Sequence, residues 1–281
     1  MVEMFPLLQS FESLAMTDTV LTERRGEILV VTINRPEVRN AVNSPTARLL
    51  GQTFVDFDED DSLKVAVLTG AGGTFCAGAD LKSVGDGTFE PTPPPTAPID
   101  RHDPLGPMGP SYLRLDKPVI AAVAGHAVAG GLELSLWCDM RVVDSDATFG
   151  VYCRRWGVPL IDGGTVRLPR LVGHSNAMDM ILTGRAVGAD EAKQMGLANR
   201  VVPPGTSIEA AIELAEQIAQ FPQICMRNDR RSAYDQWDLD FDAAMQNEGV
   251  LGDATLRSGE SRDGARRFSS GKGRGGSFDD I

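Results

Sequence analysis

Short runs of apolar, mostly β-branched residues recur along the chain and end near glycine or proline. They occupy residues 28–33, 64–69 and 119–123, and a fourth run follows at residues 140–143. Runs of this length and composition predict buried strands. Segments in which apolar residues repeat at helical spacing lie between and after them. Strands that alternate with helices are typical of an α/β protein with a mostly parallel sheet and helices packed around it.

Two helices can be placed more closely. Residues 44–57 predict a helix in which Ser44 is the N-cap and Pro45 takes the first helical position. Residues 207–220 predict an amphipathic helix, because apolar residues repeat on one face. These residues are Ile208, Ala211, Ile212, Ala215, Ile218 and Ala219. From residue 241 onward the pattern is helical, polar and broken by glycine.

These signals divide the chain into a core and three segments of different character. We expect residues 1–16 to form a flexible extension and residues 17–205 to form the core. Within the core, residues 84–112 contain the run PTPPPTAP and little periodicity. Loops of such length are usually mobile or functional, so this one is interpreted as a mobile wall of a ligand site. Residues 206–281 predict a C-terminal helical module with an exposed tail.

Composition narrows the classes of function. The 281-residue chain is 42% hydrophobic and carries a formal net charge of −12, which disfavours nucleic acid as a partner. No apolar run reaches the roughly 18 residues that span a bilayer, so no membrane association is expected. The four cysteines lack metal-ligand spacing, and the N-terminus does not resemble an export signal. We therefore expect free thiols, no metal and a cytoplasmic location.

Two glycine-rich turns follow predicted strands and carry the candidate chemistry. The first is GTFCAGADLK at residues 73–82, and the second is GHAVAGGLELSLWCD at residues 125–139. In the second, Gly130 and Gly131 open a helix that we expect to begin around Leu132. Unpaired N–H groups at such a helix start favour an oxyanion. Ordinary strand-to-helix turns are the alternative, and neither turn matches the phosphate-binding P-loop or the GxGxxG dinucleotide fingerprint.

Further segments extend the pattern. INRPEVRNAV lies at residues 33–42, FGVYCRRWGVPLIDGGTVRLPRLVG at 149–173 and MILTGRAVGADEAKQMGLANRVVP at 180–203. Together with the two turns, and in this order, they resemble the crotonase (enoyl-CoA hydratase/isomerase) superfamily over about residues 18–270. The resemblance implies an α/β fold with a crotonase-like ββα spiral core and a C-terminal helical module that mediates trimerisation. It also implies a homotrimer or a dimer of trimers, an acyl-CoA thioester as substrate, and no separate cofactor.

The resemblance assigns roles to individual residues. It implies that the backbone N–H groups of Ala79 and Gly130 form an oxyanion hole for the thioester carbonyl. It further implies a set of residues that contact coenzyme A. These are Val38, Arg39, Ala41, Ala77, Asp80 and Leu81, with Phe268 and Lys272 as candidates from the C-terminal helices. In the family such C-terminal residues often act across a subunit boundary.

The acid/base residues follow the family pattern only in part. Glu133 stands where the first glutamate of the family is expected, three positions after Gly130. Cys153 occupies the position of the second glutamate. A thiol is a poor proton shuttle, although a thiolate is a nucleophile. Asp162 is therefore the candidate partner of Glu133. The alternative is that Asp162 caps the helix that begins near Gly163.

The leading hypothesis for function is hydration of a 2-enoyl-CoA, or the reverse dehydration, by a lyase. A double-bond isomerase or another crotonase-type reaction that uses Glu133 with Asp162 is the first alternative. The second alternative is not an enzyme but an acyl-CoA-binding protein whose catalysis has degraded. The sequence leaves acyl chain length and branching open.

Overall fold

The computed structural model describes residues 18–90, 92–96, 101–103 and 105–276. The expected flexible extension at residues 1–16 lies outside the described residues, as do residues 277–281 of the expected tail. No helix in the described ranges has the length and apolarity needed to cross a membrane.

Nine strands form two sheets in the described part of the chain. Their bounds are β1 Val20–Arg25, β2 Ile28–Ile33, β3 Val65–Gly70, β4 Val119–Val123, β5 His126–Val128, β6 Met140–Asp144, β7 Thr148–Gly150, β8 Ala186–Gly188 and β9 Arg200–Val202. The large sheet has the order β1-β2-β3-β4-β6-β9 and is parallel apart from the antiparallel pair β1–β2. The small sheet has the order β5-β7-β8. All four predicted strands are present, and the mostly parallel sheet is confirmed.

Ten α-helices surround the sheets in the same described ranges. They are α1 Ser44–Glu59, α2 Leu81–Gly85, α3 Gly130–Trp137, α4 Gly164–Val172, α5 His174–Thr183, α6 Ala189–Gln194, α7 Ser207–Ala219, α8 Gln223–Asp235, α9 Phe241–Ser258 and α10 Glu260–Ser269. The predicted cap of α1 is wrong by one residue. Asn43 is the N-cap, and its side chain accepts the Thr46 amide. The Ser44 hydroxyl instead accepts a hydrogen bond from the Glu90 amide at 2.8 Å.

The central strands are buried on both faces, as the unbroken apolar runs predict. On one face, α7 covers Val65, Val67 and Ile120 with its apolar stripe. On the other face, the alternate residues of the same strands pack under α1 and α3. There the rings of Phe54 and Trp137 meet edge-to-face at 4.8 Å between centroids. This second face supports the glycine-rich turns, since α3 continues directly from one of them.

The C-terminal helices are tied to the core through α8. Arg230 donates to Asp139 at 2.7 Å and to the Leu115 carbonyl at 2.6 Å. The Tyr234 hydroxyl donates to the same Asp139 carboxylate at 2.8 Å. Helices α9 and α10 pack on α8 and on each other, with Gly259 between them. This agrees with the glycine-broken helical pattern, whereas the expected trimerisation role of this module stays a prediction.

Asn40 joins two loops beneath the site. It is fully buried with a φ of 56°, a left-handed conformation that asparagine tolerates better than most residues. Its amide nitrogen donates to the Ala71 carbonyl at 2.8 Å and to the Thr74 carbonyl at 2.6 Å. Its amide oxygen accepts the Arg35 N–H at 2.9 Å.

Asn40→Ala is expected to lower the free energy of unfolding by roughly 2–4 kcal/mol, because it leaves buried backbone groups without partners. Urea unfolding measures this loss. Asn34→Ala is the matched control, since within the described residues the Asn34 side chain donates one hydrogen bond, to the Asp18 carbonyl near the surface. Equal losses in the two variants would contradict the structural role given to Asn40.

Candidate active site

The two glycine-rich turns meet backbone to backbone. The Cys76 amide donates to the His126 carbonyl at 2.9 Å, and the Val128 amide donates to the Cys76 carbonyl at 3.1 Å. Glycine is required at this meeting point. A Cβ on Gly78 would lie 2.9 Å from the Gly130 nitrogen, and one on Gly131 would lie 2.0 Å from the Cys76 oxygen. The close approach that the small residues predict is therefore present.

Two amides at this junction remain free. Among the described residues, neither the Ala79 nor the Gly130 backbone N–H donates a hydrogen bond. Gly130 is the first residue of α3, so its amide belongs to the positive end of that helix. Ala129 precedes it with φ 54° and ψ −125°, a conformation that is costly for a residue with a Cβ. This sharp turn carries the chain from β5 directly into α3.

Glu133 lies in the first turn of α3 and is only 1% exposed. Its Oε1 atom accepts the backbone N–H of Asp162 at 2.9 Å and of Gly164 at 2.8 Å. In the described part of the chain, Oε2 receives no hydrogen bond. Burial, with the nearby Asp162 charge as a smaller cause, raises the pKa of Glu133 to about 8. The carboxyl therefore holds a proton at neutral pH, and Oε2 is the oxygen available to carry it.

Asp162 lies close enough to Glu133 to affect its pKa and does not cap a helix. The cap alternative is wrong, because the N-cap of α4 is Gly163 and no side chain caps that end. The Asp162 Oδ1 atom instead accepts the Met108 amide at 2.9 Å and the Ser111 hydroxyl. The side chain is buried, with 3% exposure, and burial raises the pKa of its carboxyl. The hydrogen bond from Ser111 opposes this increase and favours the ionised form.

Arg167 holds the Asp162 turn against the segment 105–112. It donates from Nη1 to the Asp162 carbonyl at 2.9 Å and from Nη2 to the Ser111 carbonyl at 2.8 Å. Gly163 leaves room for it, since a Cβ there would lie 2.2 Å from Nη1. The positive charge lowers the pKa of both Glu133 and Asp162, in each case against the larger effect of burial.

Sequence reasoning missed Met108, Ser111 and Arg167. The first two lie in a segment without periodicity, and no motif marks them. The position of Arg167 in the sequence weakly indicates a role in the site. It follows the glycine pair of LIDGG by three residues, on the first turn of a predicted helix whose start carries Asp162.

Cys153 is a buried thiol beside Glu133. It lies in the short 3₁₀ segment Tyr152–Trp156 and is 5% exposed. Burial, and secondarily the charge of Glu133, raises the pKa of the thiol. A thiol with a raised pKa is a poor nucleophile at neutral pH. The structure therefore does not favour the thiolate considered from the sequence.

The segments expected to contact coenzyme A lie side by side. The Ala77 amide donates to the Arg39 carbonyl at 3.0 Å, and the Val42 amide donates to the Gly78 carbonyl at 2.8 Å. Val38, Arg39 and Leu81 are exposed along this strip, Ala77 is half-buried and Ala41 is buried. Ala79 follows Ala77 and Gly78 in this strip and pairs with Val42 across it.

Three other residues expected to contact coenzyme A differ from these in their contacts or in their place in the fold. The Asp80 carboxylate caps α2 through the Lys82 and Ser83 amides and pairs with Arg35 at 2.9 Å, so its side chain is already engaged. Phe268 is exposed near the end of α10, and Lys272 follows that helix. Phe268 and Lys272 therefore belong to the C-terminal helical module, because α10 packs on α8 and α9.

Comparison with known proteins agrees with this fold. The family model for enoyl-CoA hydratase/isomerase matches residues 23–272. The chain therefore belongs to the enoyl-CoA hydratase/isomerase family, within the crotonase superfamily. No cluster of three or more acidic, cysteine or histidine side chains able to hold a metal is found in the described ranges.

Individual relatives cover most of the chain. Enoyl-CoA hydratase EchA19 of Mycobacterium tuberculosis is 37% identical over 255 residues, 88% of this chain and 92% of that protein. Carnitinyl-CoA dehydratase of Escherichia coli K12 is 38% identical over 205 residues, 72% and 75% of the two chains. The crystal structure of enoyl-CoA hydratase EchA1 from Mycobacterium marinum superposes with a TM-score of 0.81 at 33% identity, covering 90% and 96%. The expected crotonase-type fold is confirmed.

Proposed function

We propose that the chain catalyses the addition of water to a 2-enoyl-CoA thioester and the reverse dehydration. The observation that carries this proposal is the pair of free amides, Ala79 and Gly130, placed on two touching turns beside the buried carboxyl of Glu133. Two such donors stabilise the negative charge that develops on a thioester oxygen when its enolate forms. Each donor of this kind lowers the barrier by about 3 kcal/mol.

The strip formed by residues 38–41 and 77–81, which includes Ala79, supports the proposed binding of coenzyme A. Its pantetheine arm would run between residues 38–41 and 77–81, with the thioester carbonyl at the two free amides. Arg39 is exposed at the outer end, where its guanidinium can offset phosphate charge. Coenzyme A arrives as part of the substrate, so the proposed reaction uses no separate cofactor.

The two carboxyls would share one proton. Glu133 holds it, because its pKa of about 8 keeps it neutral at physiological pH. We assign Asp162 the role of the ionised partner: burial raises the pKa of its carboxyl, and the hydrogen bond from the Ser111 hydroxyl and the Arg167 charge both oppose that increase. This gives one acid and one base at the same site, the arrangement that general acid–base catalysis requires.

In the proposed hydration, one carboxyl takes a proton from water and the other gives a proton to the substrate. Asp162 takes a proton from water, and the water oxygen forms a bond to Cβ of the enoyl group. The C=C electron pair moves onto the thioester, and the oxygen charge is held by the Ala79 and Gly130 amides. Glu133 then delivers its proton to Cα. Transfer of a proton from Asp162 back to Glu133 restores the pair, and dehydration follows the same steps in reverse.

The activities named for two relatives support this choice. One relative is an enoyl-CoA hydratase and another is a carnitinyl-CoA dehydratase. Both names describe water entering or leaving an acyl-CoA, which is the same chemistry in opposite directions.

Isomerisation of a 3-enoyl-CoA is the second candidate, and Cys153 is the observation that favours it. The neutral thiol leaves Glu133 as the acidic side chain that matches the family pattern. A single carboxyl can move a proton from Cα to Cγ without activating water.

Crotonyl-CoA separates the candidates. Hydration removes the conjugated thioester absorbance, isomerisation of a 3-enoyl-CoA creates it, and a protein that only binds acyl-CoA does neither. Loss of absorbance with formation of 3-hydroxybutyryl-CoA, verified by mass spectrometry, is the expected result. Binding of crotonyl-CoA with no turnover would contradict the proposal.

The pH profile tests the shared proton. Hydration should lose activity as pH rises through about 8, because Glu133 then loses the proton that it must deliver. We expect kcat/KM to fall about tenfold per pH unit above that point. The net reaction releases no proton, so kcat/KM for dehydration must show the same falling limb. A rate that rises through pH 8 would contradict the assignment.

A further inference from the structure

Met108 contacts Gly130 through its side chain and Asp162 through its backbone amide. A Cβ on Gly130 would lie 2.7 Å from the Met108 Sδ atom and 3.0 Å from its Cε and Cγ atoms. The side chain therefore extends along the first residue of α3. At its other end, the Met108 amide donates to Asp162 Oδ1 at 2.9 Å. Met108 is only 1% exposed and belongs to the main apolar cluster.

The backbone that presents Met108 is held firmly. Gly106 and Gly109 exchange two amide–carbonyl hydrogen bonds at 2.7 and 2.8 Å, which closes a tight turn around Met108. The turn sits directly on α1, because a Cβ on Gly109 would lie 2.4 Å from the Ala47 carbonyl oxygen.

A second contact fixes the same turn. Leu105 fills the notch left by Gly51 in α1, where a Cβ would lie 2.5 Å from its Cδ2 atom. With the backbone fixed at both places, the flexible methionine side chain is the part that can yield to a ligand.

We infer that the Met108 side chain closes the end of the acyl-binding site and so limits the length of the acyl chain that binds. The site is therefore expected to take short acyl thioesters. The inference rests on the proposed function, which places the thioester oxygen at Gly130 and the reacting carbons next to Asp162. An acyl chain that continues past those carbons meets Met108. A short chain needs only a rotation of the thioether, whereas a long one must displace a side chain that fills its own apolar pocket.

The test is binding of two saturated, unreactive probes to the full-length protein. Isothermal titration calorimetry with butyryl-CoA and octanoyl-CoA gives an affinity ratio for each variant. Met108→Ala should raise the ratio in favour of octanoyl-CoA by about tenfold or more, because the freed volume admits additional buried methylenes. Met108→Phe should shift the ratio in the opposite direction. Met180→Ala is the matched control, a fully buried methionine in α5, which should leave the ratio unchanged.

The outcomes are separable. Ratios within twofold of wild type in both Met108 variants would overturn the inference, provided that thermal unfolding shows them folded. If Met108→Ala does not fold, Met108→Phe decides the result. A shifted ratio in a protein that does not turn over crotonyl-CoA would support the chain-length role and contradict the hydratase. Absence of acyl-CoA binding by the wild-type protein would overturn both.

Discussion

Replacing Glu133 by Gln is expected to lower kcat for crotonyl-CoA hydration about a thousandfold. The amide oxygen of glutamine can still accept the Asp162 and Gly164 N–H groups that Oε1 accepts in the native protein. The local structure should therefore persist, while the proton that Glu133 delivers to Cα is lost. General acid–base groups contribute about 10²–10⁴-fold, so a loss of this size isolates that role.

Steady-state kinetics and butyryl-CoA binding check this result together. The affinity for butyryl-CoA should stay within a few-fold of wild type, because the Ala79 and Gly130 amides and the coenzyme A strip are unaltered. Residual activity within tenfold of wild type would show that another group supplies the proton, and the assignment of Glu133 would fail.

Replacing Asp162 by Asn is expected to lower kcat by at least about a hundredfold. Asparagine retains an oxygen that can accept the Met108 amide and the Ser111 hydroxyl, so the segment 105–112 should stay in place. What disappears is the base that takes the proton from water. The measurement is the same hydration assay, with far-ultraviolet circular dichroism to verify the fold.

Cys153→Ala is the control for Asp162→Asn, because it tests whether the thiol rather than the aspartate is the partner of Glu133. Both residues lie near Glu133, but the Cys153 thiol has a raised pKa and stays neutral. Its removal should change kcat only a few-fold. If Cys153→Ala abolished activity while Asp162→Asn retained it, the thiol would be the partner of Glu133 and the mechanism proposed here would be wrong.

Much of the fold was predictable because the central strands are buried on both faces. Continuous apolar runs such as residues 119–123 leave few alternatives to an interior strand. The edge strand β1 and the three-residue strands of the small sheet were not predicted. β1 has the sequence VLTERR and exposes most of its side chains, so it lacks an apolar run. The strands of the small sheet have three residues each, which is too short to show the apolar pattern of a strand.

The site was predictable where a local motif carries it and not where tertiary contacts do. Glu133 and Gly130 lie in one turn, so their relation is readable from the sequence. Asp162 had two readings, because an aspartate before a glycine pair is also a common helix cap. The contacts of Asp162 with Met108 and Ser111, some fifty residues earlier in the chain, take the place of the helix cap, and its role as partner of Glu133 stays a proposal. No local pattern encodes those contacts.

The support of Glu133 comes from main-chain amides, and this bears on how such a site can change over evolutionary time. Both donors to Oε1 are backbone N–H groups, and Gly164 is confined to glycine because a Cβ would lie 2.8 Å from that oxygen. The anchorage of the acid therefore depends on the course of the backbone at residues 162–164 and not on the identity of neighbouring side chains such as Cys153, so substitutions there can alter the site while Glu133 keeps both of its donors.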